Sequence, residues 1–107
     1  MSLDVYLERV MPCEVFSCNT THNLQPMARE AGLHAALWEP ETIGVTVAAQ
    51  LTTLLEEGLA KLHAEPERFR AFNAPNGWGR YEDLVRFTER YLAACREHPD
   101  ATIRVRR

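Results

Sequence analysis

No stretch of this sequence approaches the roughly 20 consecutive apolar residues that cross a bilayer. The N-terminus also lacks the basic patch and apolar core of a secretion signal, so the expectation is a cytoplasmic protein with no membrane contact. Cysteine is scarce and odd in number, Cys13, Cys18 and Cys95, which implies free thiols rather than a disulfide framework. Those three with His22 have the composition of a Cys₃His zinc site, yet four residues separate Cys13 from Cys18, wider than the usual cysteine pair, and Cys95 falls inside an apolar helix stripe. No structural metal and no cofactor is therefore expected. Lysine is nearly missing, Lys61 being the only one, as a genome rich in G and C would produce.

Excess positive charge is missing too. The formal net charge is -3, and acids are interleaved with the arginines, which argues against nucleic acid as the partner. The basic exception is Arg104-Val105-Arg106-Arg107, which reads as a charged strand edge that blocks unwanted pairing. A DNA contact would need this tail together with Arg80, Arg86 and Arg90, against the nearby Glu82, Asp83, Glu89 and Asp100. Phosphate-binding loops, dinucleotide fingerprints, nucleophile elbows and zincin motifs are all absent, so no catalytic residue is assigned.

What is present suits one globular domain over residues 1–107, with 46% hydrophobic and 25% charged residues. Leu3, Val5 and Leu7 alternate with polar residues as a half-buried strand does. Met11-Pro12 interrupts, and Glu14 to Ser17 reads as a short second strand of a hairpin. Thr20, Thr21 and Asn23 then offer cap oxygens to a helix carrying Leu24, Met27, Ala28 and Ala31, which Gly32 ends. A further turn spans Leu33 to Trp38 and stops at Pro40, and Gly44 marks a turn.

Thr46 reads as the cap of the clearest helix, whose apolar stripe is Val47, Leu51, Leu54, Leu55, Gly58, Leu59 and Leu62. Pro66 opens a short helix with Phe69 and Phe72, and residues 73–79 are a loop by their turn residues. Tyr81, Leu84, Val85, Thr88, Tyr91, Leu92 and Cys95 form the last stripe, and Ile103 and Val105 alternate in a final strand. The fold expected is α+β: a small two- or three-stranded sheet, with strands from both termini, packed against a layer of about three helices. Its core should bury Leu51, Leu55, Leu59, Leu84 and Leu92 with the first strand.

Two segments could carry function. The run from Cys18 to Asn23 crowds polar groups at a helix start. His22 could serve as a base or ligand contact oriented by Asn19 and Asn23, or the run could simply cap the helix. Around Asn76-Gly77-Trp78-Gly79, the glycines could present Trp78 to a partner, or let it fold back and plug the core. Trp38 could wall such a site.

Thr21-His22-Asn23-Leu24, Met27 to Gly32, Leu37-Trp38-Glu39-Pro40-Glu41 and Ile43-Gly44 resemble a group of uncharacterised small proteins encoded in bacteriophage genomes. Phe72-Asn73, Asn76 to Gly79 and Tyr91 to Cys95 fit the same group, and the likeness spans nearly the whole chain. It implies a viral accessory protein in the cytoplasm of an infected bacterium and brings no known activity. The function expected is non-enzymatic binding of a host or phage protein, for instance to blunt a host defence. The alternative is a small enzyme or small-ligand binder around His22. In either case the candidate contact residues are Asn19, His22, Asn23, Trp38, Asn76 and Trp78.

Overall fold

The computed structural model describes residues 2–9 and 13–107. The expected break at Met11-Pro12 lies outside them. Strands β1 (Ser2–Arg9) and β2 (Cys13–Thr21) precede helices α1 (Gln25–Glu30) and α2 (His34–Trp38). Helices α3 (Thr52–Ala64), α4 (Pro66–Arg70) and α5 (Tyr81–Glu97) follow, and β3 (Thr102–Arg106) ends the chain. The fold is α+β: a three-stranded antiparallel sheet, with strands from both termini, packed against three main helices. Strand order is β2-β1-β3.

β1 lies in the middle because it alone has a fully apolar face to offer: Leu3, Val5 and Leu7 are completely buried. Val5 faces Cys18 on β2 and Val105 on β3, while Leu7 faces Phe16 and Ile103, so one side of the sheet is hydrophobic across all three strands. Helix α5 covers that side, and the Tyr91 ring stacks on Phe16 at 6.1 Å. The expected core residues Leu51, Leu55, Leu59, Leu84 and Leu92 are all buried in the same cluster. On the opposite side of the sheet, Arg104 stacks over the Tyr6 ring at 3.9 Å and pairs with Glu8 at 3.3 Å.

Three boundaries differ from expectation. β2 runs on to Thr21 rather than stopping at Ser17, since pairing with Ser2 to Asp4 stabilises a polar stretch that has no apolar alternation of its own. The helix expected from Thr20 begins instead as a tight 3-10 turn, His22–Leu24, before α1. Thr46 does not cap the third helix. The residue ahead of α3 is Leu51, which makes no side-chain cap, and the Gln50 side-chain oxygen instead accepts from the amides of Thr46 at 2.8 Å and Val47 at 3.0 Å, closing the turn before the helix. A 3-10 turn, Ala48–Gln50, therefore precedes α3.

Gly58 sits where α3 crosses the segment before α2, and a β-carbon there would lie 2.2 Å from the Leu33 side chain, which is itself fully buried. Alanine in place of a helical glycine gains about 1 kcal/mol of propensity. Overpacking a closed core costs roughly 1–3 kcal/mol, so the packing term wins. Gly58→Ala is expected to lower the stability measured by urea denaturation, and Gly58→Ala combined with Leu33→Ala to cost less than the sum of the two single substitutions.

Candidate functional site

Consecutive strand residues point to opposite faces of a sheet, so a cavity touched by every residue from Cys18 to Thr21 must run along the strand's edge. Such a groove exists, about 750 Å³ in volume, between β2 and α5, and it reaches Ser2 at the end of β1. Asp83, Arg86, Phe87 and Arg90 line its helical side. Their spacing of three, four and seven residues places them on one flank of α5. Beyond β2 the wall continues through His22 and Asn23, and the loop Asn76 to Gly79 closes one end.

That loop is tied down at several points. Asn76 Oδ1 accepts from the Trp78 amide at 2.9 Å, and the Gly79 carbonyl accepts from the Ala74 amide at 3.1 Å. Asn23 Nδ2 donates to the Trp78 carbonyl at 2.8 Å across a sequence separation of 55 residues. Gly79 has φ +120°, and a β-carbon on it would lie 3.1 Å from Asn23 Cβ, so both its torsion and its close approach suit glycine. Trp78 does not plug the core. Its side of the loop is held outward, and the residue is 72% exposed.

The polar run divides between the two roles weighed for it. Thr21 Oγ1 accepts from the Asn23 amide at 3.2 Å and caps the 3-10 turn. Thr20 is spent in the ladder opposite Leu3, and Asn23 anchors the tryptophan loop. The His22 ring meets Trp38 edge-on at 6.2 Å, and Trp38 stacks on His34 at 5.5 Å. His22 Nε2 and Trp38 Nε1 are both sealed from solvent and reach no hydrogen-bond partner among the described residues. Asn19, His22, Asn23, Asn76 and Trp78 thus share one groove, whereas Trp38, only 2% exposed, stands behind it and touches it through His22.

Sequence reasoning missed Phe87 and did not connect Arg86 and Arg90 to this site. The signal available was their common helical flank. Asp83 is largely committed, since one carboxylate oxygen accepts from the Arg80 amide at 3.0 Å and caps α5. Arg86 reaches its other oxygen only at 3.8 Å, and Arg90 forms no ion pair with a described residue. The groove therefore presents positive charge. Two arginines of the tail are occupied elsewhere: Arg104 by Glu8, and Arg107 by the Trp38 carbonyl, to which it donates at 2.8 Å, and by Glu41.

Among the described residues, no three His, Cys, Asp or Glu side chains come together as metal ligands. The Cys13 side chain lies outside those residues. Burial pushes the Cys95 thiol up to about 12, which keeps it protonated and unreactive at neutral pH. No described helix is long and apolar enough to cross a membrane. In comparisons with known proteins, no family model matches the chain, and no curated protein or solved structure matches it either.

Two outcomes follow from this geometry. Asn23→Ala removes the anchor of the loop and should cost about 1 kcal/mol in thermal unfolding, with faster local motion of the Trp78 indole seen by NMR relaxation. His34 supplies a pH dependence. Burial first, then the Arg29 cation, holds its imidazole below the ordinary value against the opposing pull of Glu39. The unfolded chain therefore binds that proton more tightly, and His34 contributes stability above an unfolded pKa of about 6.5 that is lost as pH falls toward the lower folded value. His34→Asn should flatten the stability profile measured by denaturant titration across that window.

Proposed function

We propose that the chain is a non-enzymatic protein-binding module that takes a segment of its partner into the groove between β2 and α5. The observation that carries this reading is the exposed Trp78, fixed by a hydrogen-bonded loop at the mouth of a groove along an open strand edge. A rigid aromatic anchor beside a concave surface is what binding hot spots use, because little conformational entropy is lost when it is covered. Taken with the resemblance to phage-encoded proteins, the proposal is a phage accessory protein acting on a host or phage protein inside the infected cell. Blunting a host defence is one such action.

A second reading, a small enzyme or small-ligand site around His22, draws support from the meeting of Asn19, His22 and Trp78 in one groove. Against it, His22 Nε2 is buried on Trp38 and cannot reach a molecule in the groove. Two variants separate the readings, tested by capture of partner from infected cells and by phage growth. Trp78→Ala should weaken capture by about 30-fold, the loss of roughly 2 kcal/mol typical of a hot-spot aromatic, while shifting stability by no more than about 0.5 kcal/mol. His22→Ala should leave capture and growth intact. Loss of biological activity in a stably folded His22→Ala protein would instead favour the ligand site.

A further inference from the structure

We infer that the partner segment is an extended, acidic strand that adds to the free edge of β2, with its carboxylates meeting Arg86 and Arg90. The inference rests on the protein-binding reading and specifies the chemistry of the occupant. The two edges of the sheet are not equivalent. On β3, the Ile103 amide donates to the Thr46 carbonyl at 2.9 Å, and Val47 bridges to Thr102, so that edge is partly closed by the chain itself. On β2, the backbone groups that face away from β1 find no backbone partner among the described residues.

An open edge displays donors and acceptors at the strand repeat, which only another extended backbone can satisfy in series. A helix laid in the groove would leave them unmet. Main-chain pairing with an edge strand, combined with side-chain contacts to a flanking surface, is an established mode of peptide capture, and here α5 is the flank. The side chains along that flank set the preference. Among the described residues, Arg86 has one long ion contact and Arg90 has none, and Asp83 is held by its capping bond, so a segment bearing carboxylates finds two available guanidinium groups.

A second copy of this chain fits less well. Its β2 carries no acid from Val15 to Thr21, and pairing two such edges would bring the arginine-lined flanks of two α5 helices together. A single-stranded nucleic acid could place phosphates on the arginines and a base on Trp78. It would leave the backbone donors and acceptors of the strand edge unused.

The test uses blocked synthetic heptapeptide pools in which Asp or Glu alternates with Val, Ile or Thr. Matched pools carry Gln or Lys at the acidic positions, and an oligo-dT and the protein's own dilution series complete the set. Binding is read from amide shifts of the isotope-labelled protein. The acidic pool is expected to move the amides of Cys18 to Thr21 and the Trp78 indole. Its affinity should fall at least about fivefold in Arg86→Gln/Arg90→Gln, with a similar loss on raising the salt.

Equal binding of the Gln pool at β2 would overturn the acidic preference and leave the groove reading standing. Peptide shifts confined to other surfaces, tighter binding of oligo-dT, or self-association through β2 would overturn the inference itself. The protein-binding reading falls separately, if partner capture from infected cells is indifferent to Trp78→Ala.

Discussion

β1 can satisfy its apolar face only from the middle of the sheet, and most of the architecture follows from that. Leu3, Val5 and Leu7 recur at every second residue, so a slip of one residue against either neighbour would turn all three to solvent. At about 25 cal/mol for each Å² of apolar surface, three such side chains are worth several kcal/mol, comparable to the whole stability of a small domain. The register with β2 and β3 is thereby fixed. So is the position of α5, which must cover the face the three strands share.

With β1 in the middle, β2 has to be an edge. Its N-terminal part shows a device that discourages indiscriminate pairing. Leu7 faces Phe16 but Glu8 faces Glu14, so Val15 is an extra residue that bends the strand, and Glu14 adds charge beside it. Past the bulge the ladder is regular from Phe16 to Thr21, and this regular part borders the groove. The anchor loop reaches the same place through Asn23, so the edge, the arginines of α5 and Trp78 are assembled by contacts distant in sequence. An open edge that is regular, cationic on one flank and capped by an aromatic suits selective capture better than general stickiness.

Elements with a clear period were legible in the sequence. The alternation of β1 and β3, the stripes of α3 and α5, and the turns at Gly32 and Gly44 all stand where local pattern put them. The second half of β2 was hidden because Cys18 to Thr21 is polar and its strand state comes from pairing with β1, a non-local term. Trp78 invited a core placement on size alone. Its loop contacts, which need Asn23 to be brought alongside, decide otherwise. Phe87 and the two arginines were visible as a helix flank, but which strand edge that flank would meet depends on the sheet order, and local pattern carries no information about it.

Amide hydrogen exchange along β2 in dilute protein tests the central claim, an edge left open for a partner strand, most directly. The amides of Cys18 to Thr21 that point away from β1 should exchange at nearly unprotected rates, alternating with slow ones that face it, while amides throughout the middle of β1 stay protected. Uniform protection of all four would mean that the edge is already covered, and would contradict the account.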